Sequence, residues 1–252
     1  MGSTWANIYV AGKNMPAYVS MPAGSGPYPA VVVIQHGPGV DGFVTGVCDR
    51  LAAEGYVAVA PSLYYRQASN PELEMPSPSD PNFRDRMFAK IGQLKDKGIV
   101  IDVNATTSYL ESLPNVNRAA IGITGFCMGG RLTYLMAASN PIFKAAAPFY
   151  GGNIMGSWGG GPTPFELSKN IRCPILFFFG NDDQNPSPAD RQKLDAELTA
   201  LNKPHTFVAY DGAGHGFMAP GPNHREHAAK DAWPKLVEFF NQYLKGKVPA
   251  RA

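Results

Sequence analysis

Short runs in which every residue is apolar alternate along this chain with longer stretches that are apolar on one side only. Ala30-Val31-Val32-Val33-Ile34 is continuous rather than alternating, as a strand covered on both faces must be. Residues 56–60, 119–124, 145–149, 175–179 and 206–210 read the same way. Residues 45–54 predict a helix, with Gly55 placed to end it. Ser187-Pro188-Ala189-Asp190 supplies an N-cap, a first-turn proline and an N3 carboxylate for a helix reaching about Leu201. A last helix over 226–244 carries Trp233, Leu236, Val237, Phe240 and Leu244 toward one face. Buried strands alternating with amphipathic helices predict an α/β fold, a mostly parallel central sheet with helices on both faces.

Two Pro/Gly-rich stretches, 69–81 and 151–164, interrupt this pattern. Cutting the chain at either would leave pieces without complete cores. They are better read as long loops over the C-terminal edge of one sheet, within a single domain spanning 1–252. A chain of 252 residues buries about three quarters of its unfolded surface and needs no disulfide staple. Lys plus Arg number 22 against 20 Asp plus Glu. That balance excludes a nucleic-acid or polybasic membrane footprint. Residues 1–7 lack a basic region and an apolar run, and position 6 is Ala6, so neither a signal peptide nor a myristoylation motif is expected. The longest apolar runs are five residues, too short to cross a bilayer. A soluble, cytoplasmic chain is expected, a monomer or weak homodimer acting on a small molecule.

Chemistry enters at Thr124-Gly125-Phe126-Cys127-Met128-Gly129-Gly130. An apolar strand runs into Gly-x-Cys-x-Gly and then into a helical stretch, the nucleophile-elbow pattern with cysteine at its apex. A thiol there sits at a helix N-terminus, which favours the thiolate, and the Met128 N–H stands ready for an oxyanion. The other cysteines, Cys48 inside a helix and Cys173 before a strand, have no glycine frame and read as packing residues. In such folds the partners follow in the order nucleophile, acid, histidine. Gly180-Asn181-Asp182-Asp183 follows one late strand, and Gly214-His215-Gly216 follows the last. The local pattern favours Asp183 over Asp182 as the acid and His215 as the base. His205 reads as a surface residue. His224 and His227 lack a third ligand at metal-site spacing, so no metal is expected.

These residues resemble the dienelactone hydrolase (carboxymethylenebutenolidase) family of α/β-hydrolases. The resemblance covers residues 30–244 and includes Gly125-Phe126-Cys127-Met128-Gly129-Gly130, Gly180-Asn181-Asp182-Asp183, Gly214-His215-Gly216-Phe217, and Gly55-Tyr56-Val57-Ala58-Val59-Ala60-Pro61 continuing through Leu63-Tyr64 and Arg66-Gln67-Ala68. It implies an α/β-hydrolase fold and hydrolysis of a cyclic enol-lactone such as dienelactone to maleylacetate, without metal or organic cofactor.

Two positions depart from the family pattern. Gln35-His36-Gly37-Pro38-Gly39 carries His36 where the resemblance calls for a thiol-managing glutamate. The expectation is either a second imidazole favouring the thiolate or a pocket-lining residue, with the Gly37 N–H as second oxyanion donor. For the substrate carboxylate, the resemblance implies an arginine within 82–86, which Arg84 or Arg86 can supply, and another four residues after His215, where Ala219 stands. The leading expectation is therefore a lactone or ester hydrolase working through Cys127, His215 and Asp183 by way of an acyl-thioester. A broad short-chain esterase or thioesterase is the alternative, and a non-catalytic, oxidant-sensing thiol protein stands behind both.

Overall fold

The structure is a computed structural model and describes residues 1–67, 75 and 77–246. Ala68, residues 69–74 and 76 of the expected 69–81 loop, and 247–252 of the expected domain lie outside the described residues. Eight strands join in one sheet: β1 (Gly2–Val10), β2 (Lys13–Met21), β3 (Tyr28–Ile34), β4 (Val57–Pro61), β5 (Val116–Phe126), β6 (Phe143–Phe149), β7 (Ile175–Gly180) and β8 (His205–Tyr210). Their spatial order is β1-β2-β4-β3-β5-β6-β7-β8. From β4 to β8 every pairing is parallel, while β1 and β2 add an antiparallel edge. The helices are α1 (Gly42–Ala53), α2 (Phe83–Gly92), α3 (Asp96–Ser112), α4 (Met128–Ser139), α5 (Pro188–Ala200) and α6 (Glu226–Lys245).

The continuous apolar run of β3 serves two cores. Val31 and Val33 face a core built with Val44, Val47 and Leu51 of α1 and with Leu236, Phe240 and Leu244 of α6. Ala30, Val32 and Ile34 face the opposite core, with Ile99 and Val103 of α3, Leu132 and Leu135 of α4, and Leu194 of α5. Residues one apart on a strand point to opposite faces, so only an uninterrupted apolar run can fill both. Truncating a fully buried side chain such as Phe240 is expected to cost about 3–5 kcal/mol.

Local chemistry fixes the helix ends. Asp41 caps α1 through hydrogen bonds from the Phe43 and Val44 N–H groups, both 3.1 Å. Gly55 takes φ +87° just beyond it. Ser187 and Asp190 form a reciprocal capping box on α5.

The hairpin of β1 and β2 and the helices α2 and α3 are additions to the elements expected from sequence. Only Ile8 and Val10 of β1 are buried, and Pro16 interrupts the apolar run of β2. On α2 only Lys90 is buried, and α3 buries Asp102, Thr106 and Thr107 among its aliphatics. Polar residues on the inward face blur the helical period from which such elements are read.

One topological feature positions the site. The chain steps outward from β3 to β4 and then returns across β3 to form β5. Adjacent connections therefore leave the C-terminal ends of β3 and β5 in opposite directions, opening the crevice where such sheets place ligands. The turn after β3 holds Gly37, and the turn after β5 holds Cys127.

Candidate active site

Cys127 occupies the single position between the end of β5 and the start of α4. Its φ of 57° and ψ of −119° are unusual for a residue with a side chain and store backbone strain. The turn is tight enough to require glycine on both sides. A Cβ on Gly129 would come within 2.5 Å of the Ile34 and Gln35 carbonyl oxygens, and one on Gly125 would strike the Gly129 backbone. The Gly130 and Arg131 N–H groups both donate to the Cys127 carbonyl, at 2.9 and 3.3 Å, starting α4 directly behind the thiol.

The loops after β7 and β8 lie against each other because Gly180 lets them approach: a Cβ there would run into the Ala213 carbonyl. The Asp182 N–H donates to that same carbonyl at 2.9 Å. This arrangement separates two adjacent carboxylates. Asp182 is exposed, whereas Asp183 is turned inward and is only 4% exposed. Asp183 Oδ2 lies 2.9 Å from Nδ1 of His215, and its Oδ1 accepts the Asn185 N–H at 2.9 Å. With Nδ1 bound to the carboxylate, the imidazole offers Nε2 for chemistry.

The His215 imidazole in turn acts on Cys127. Burial alone pushes the thiol up. The hydrogen bond and charge of His215, with the Met128 and Gly37 N–H groups directed at the sulfur, outweigh burial and hold it below the ordinary thiol range. Burial likewise pushes His215 down, but its contacts with Asp183 and Cys127 raise it to about 10. The other two thiols are free and buried, and burial raises Cys173 to about 11 and Cys48 further still.

Sequence reading did not single out Tyr64 or Tyr150 as site residues. The Tyr64 hydroxyl donates to the Gly37 carbonyl at 2.8 Å and lies 3.6 Å from Met128 Sδ, bracing both residues whose N–H groups face the thiol. Tyr150, at φ 37°, packs its ring edge-on to His215 with centroids 5.3 Å apart. Both stand at strand ends next to the elbow, a placement that only the sheet order reveals.

His36 is engaged elsewhere. Its Nε2 lies 2.8 Å from Asp41 Oδ2, and its ring packs against Phe43 at 5.3 Å, both at the start of α1. The imidazole acting on the thiol is that of His215. Arg84 is exposed and reaches over the Phe88 ring. Arg86 is half-buried beside Met87, whose sulfur lies over Gly37. His205 pairs with Asp195 at 3.1 Å, and His227 Nε2 lies 3.0 Å from the Asp211 carbonyl. Among the described residues no group of three His, Cys, Asp or Glu is placed to hold a metal ion. No described helix is long and apolar enough to cross a membrane.

Known proteins share this arrangement of chain. The model of the Dienelactone hydrolase family matches residues 15–244. A "Putative carboxymethylenebutenolidase" of Synechocystis sp. is 36% identical over 95% of this chain and 94% of its own. A "Probable 2-oxo-3-(5-oxofuran-2-ylidene)propanoate lactonase" of Bradyrhizobium sp. is 30% identical over 96% of this chain and 95% of its own. The crystal structure of a "Putative Dienelactone Hydrolase" from Klebsiella pneumoniae superposes with a TM-score of 0.85 at 32% identity, covering 96% of this chain and 98% of that one. The fold is that of an α/β-hydrolase, and this chain is a hydrolase belonging to the dienelactone hydrolase family.

Proposed function

We propose that the enzyme opens a small lactone or ester through Cys127, His215 and Asp183. The observation that carries this reading is the convergence on one sulfur of the Asp183-bound imidazole and the Met128 and Gly37 N–H groups. The Cys127 thiolate attacks the acyl carbon, and the carbonyl oxygen becomes an oxyanion held by the Met128 and Gly37 N–H groups. Collapse breaks the acyl C–O bond, and the His215 imidazolium gives its proton to the departing oxygen. Water then attacks the thioester while His215 takes its proton, and the thiolate leaves. With an enol-lactone the departing oxygen is an enol, which tautomerises to a ketone. Dienelactone would thus yield maleylacetate. The substrate for which the Bradyrhizobium relative is named, a 5-oxofuran-2-ylidene carboxylate, belongs to the same lactone class. All three cysteines are unpaired and a thiolate nucleophile must stay reduced, so we place the reaction in the cytoplasm.

One observation favours the broader ester reading. Arg84 faces solvent over Phe88, and position 219 is alanine, so the two arginines implied for a substrate carboxylate are not both in place. Comparison of kcat/KM for cis- and trans-dienelactone with that for p-nitrophenyl acetate decides between them. A carboxylate-lactone enzyme prefers the dienelactones, and Ala219→Arg lowers KM for them by adding a charge-assisted contact. A preference for the aryl ester, unmoved by Ala219→Arg, overturns the lactone assignment in favour of a broad esterase.

A further inference from the structure

The loop that carries Asp183 is itself held from the far side of the elbow. Asp183 Oδ1 accepts the Asn185 N–H at 2.9 Å, and the Asn185 side-chain Oδ1 accepts the Asn153 N–H at 3.0 Å. The Asn153 carbonyl accepts Nε of Arg131 at 3.0 Å. Arg131 stands four residues after Cys127, in the first turn of α4, and is fully buried.

Its guanidinium has a further set of partners. Nη1 and Nη2 grip both oxygens of Asp96 at 2.6 and 3.0 Å, Nη2 also donates to the Gly156 carbonyl at 2.7 Å, and the plane lies 4.0 Å from the Trp158 ring centroid. Asp96, at the start of α3, returns to the same segment. Its Oδ2 accepts the Trp158 N–H and its own N–H donates to the Trp158 carbonyl, both at 2.8 Å. A planar fork on a carboxylate fixes orientation as well as distance, and burial keeps water from competing for it. The contacts form a closed circuit: from Cys127 along α4 to Arg131, through Asn153 and Asn185 to Asp183, and through His215 back to the thiol.

We propose that Asn185 and the Arg131–Asp96 pair are positioning residues for the triad: the pair fixes segment 153–158, and Asn185 passes that order to the Asp183 carboxylate. The inference rests on the triad reading given above. None of the three residues touches the substrate's reacting atoms. Their effect appears as the strength with which Asp183 holds the His215 imidazolium, and through it the Cys127 thiolate. The titratable groups facing that thiolate–imidazolium pair are Asp183 from the loop after β7, Tyr150 at the end of β6 and Tyr64 after β4. The variants below, apart from Asp183→Asn, leave all three in place.

The test is the pH dependence of Cys127 alkylation by iodoacetamide in the full chain, with kcat/KM on p-nitrophenyl acetate measured alongside. Asn185→Ala is the principal variant, because the Asn185 side chain is exposed and its truncation spares the core. Arg131→Lys keeps the buried charge but loses the fork, and Asp183→Asn is the reference. Asn185→Ala and Arg131→Lys are expected to move the alkylation midpoint upward by about one pH unit. They are also expected to lower kcat/KM about tenfold, carried in kcat rather than KM. A purely structural role would lower the amount of active protein without moving the midpoint. Midpoints equal to wild type in both variants, with that of Asp183→Asn displaced, overturn the inference and leave the triad standing. An undisplaced Asp183→Asn overturns the triad reading and this inference with it.

Discussion

Asp183 meets His215 at 2.9 Å across two loops that leave the neighbouring strands β7 and β8, while Asp182, one residue earlier, faces solvent. The difference is made by the backbone. The Asp182 N–H is tied to the Ala213 carbonyl and the Asp183 N–H to the Gly180 carbonyl, which turns the second carboxylate inward and leaves the first outside. Asp183→Asn is expected to lower kcat by about two to four orders of magnitude, through loss of the charge that supports the imidazolium and of the tautomer it selects. Asp182→Asn should stay near wild type. Steady-state kinetics on any accepted ester separate the two.

The electrostatics of the pair set a pH profile. The thiol lies below its ordinary value, so the thiolate persists to lower pH than that of an ordinary cysteine and is lost as pH falls through that lowered value. His215 stays protonated until pH approaches about 10. Turnover that needs both thiolate and imidazolium therefore falls on the acid side through the thiol and on the alkaline side through the imidazole. His215→Ala removes the main partner of the thiolate, and the iodoacetamide midpoint should rise toward that of an ordinary cysteine. A midpoint unchanged in His215→Ala would mean that another group governs the thiol.

Strain at the elbow is measurable as stability. Cys127 holds φ 57° with a Cβ in place. Glycine accepts that conformation freely, while alanine does not. Cys127→Gly should therefore be more stable than Cys127→Ala by about 1–2 kcal/mol in denaturant unfolding, although both are inactive. Equal stability would show that the turn is not strained.

These relationships differ in how far the chain alone discloses them. The elbow is readable because its requirements are local: an apolar strand, two glycines and a helix within a few residues of Cys127. Asp183 and His215 are readable because each stands in a glycine-containing turn after a strand. The strands β3 to β7 follow from apolar runs and α5 from its capping box, whereas β8, expected to be covered on both faces, lies at the sheet edge with only Tyr210 buried. The β1–β2 hairpin lies at the sheet edge with one side in solvent, so no apolar run marks it. His36 is tied to Asp41 by a turn whose shape no periodicity encodes. Tyr64, Tyr150 and Arg131 act through partners far along the chain, brought close by the side-by-side order β4-β3-β5-β6 in the sheet. Such contacts belong to tertiary structure, and a linear pattern carries no trace of them.

The central claim is that Cys127 is acylated during turnover. Rapid quenching with p-nitrophenyl acetate, followed by intact-mass and peptide analysis, tests it most directly. Wild type should release a stoichiometric burst of p-nitrophenol and carry one acetyl group on Cys127, and Cys127→Ala should show neither burst nor adduct. Turnover retained in Cys127→Ala, or an unmodified Cys127 in wild type caught during a burst, would contradict the account.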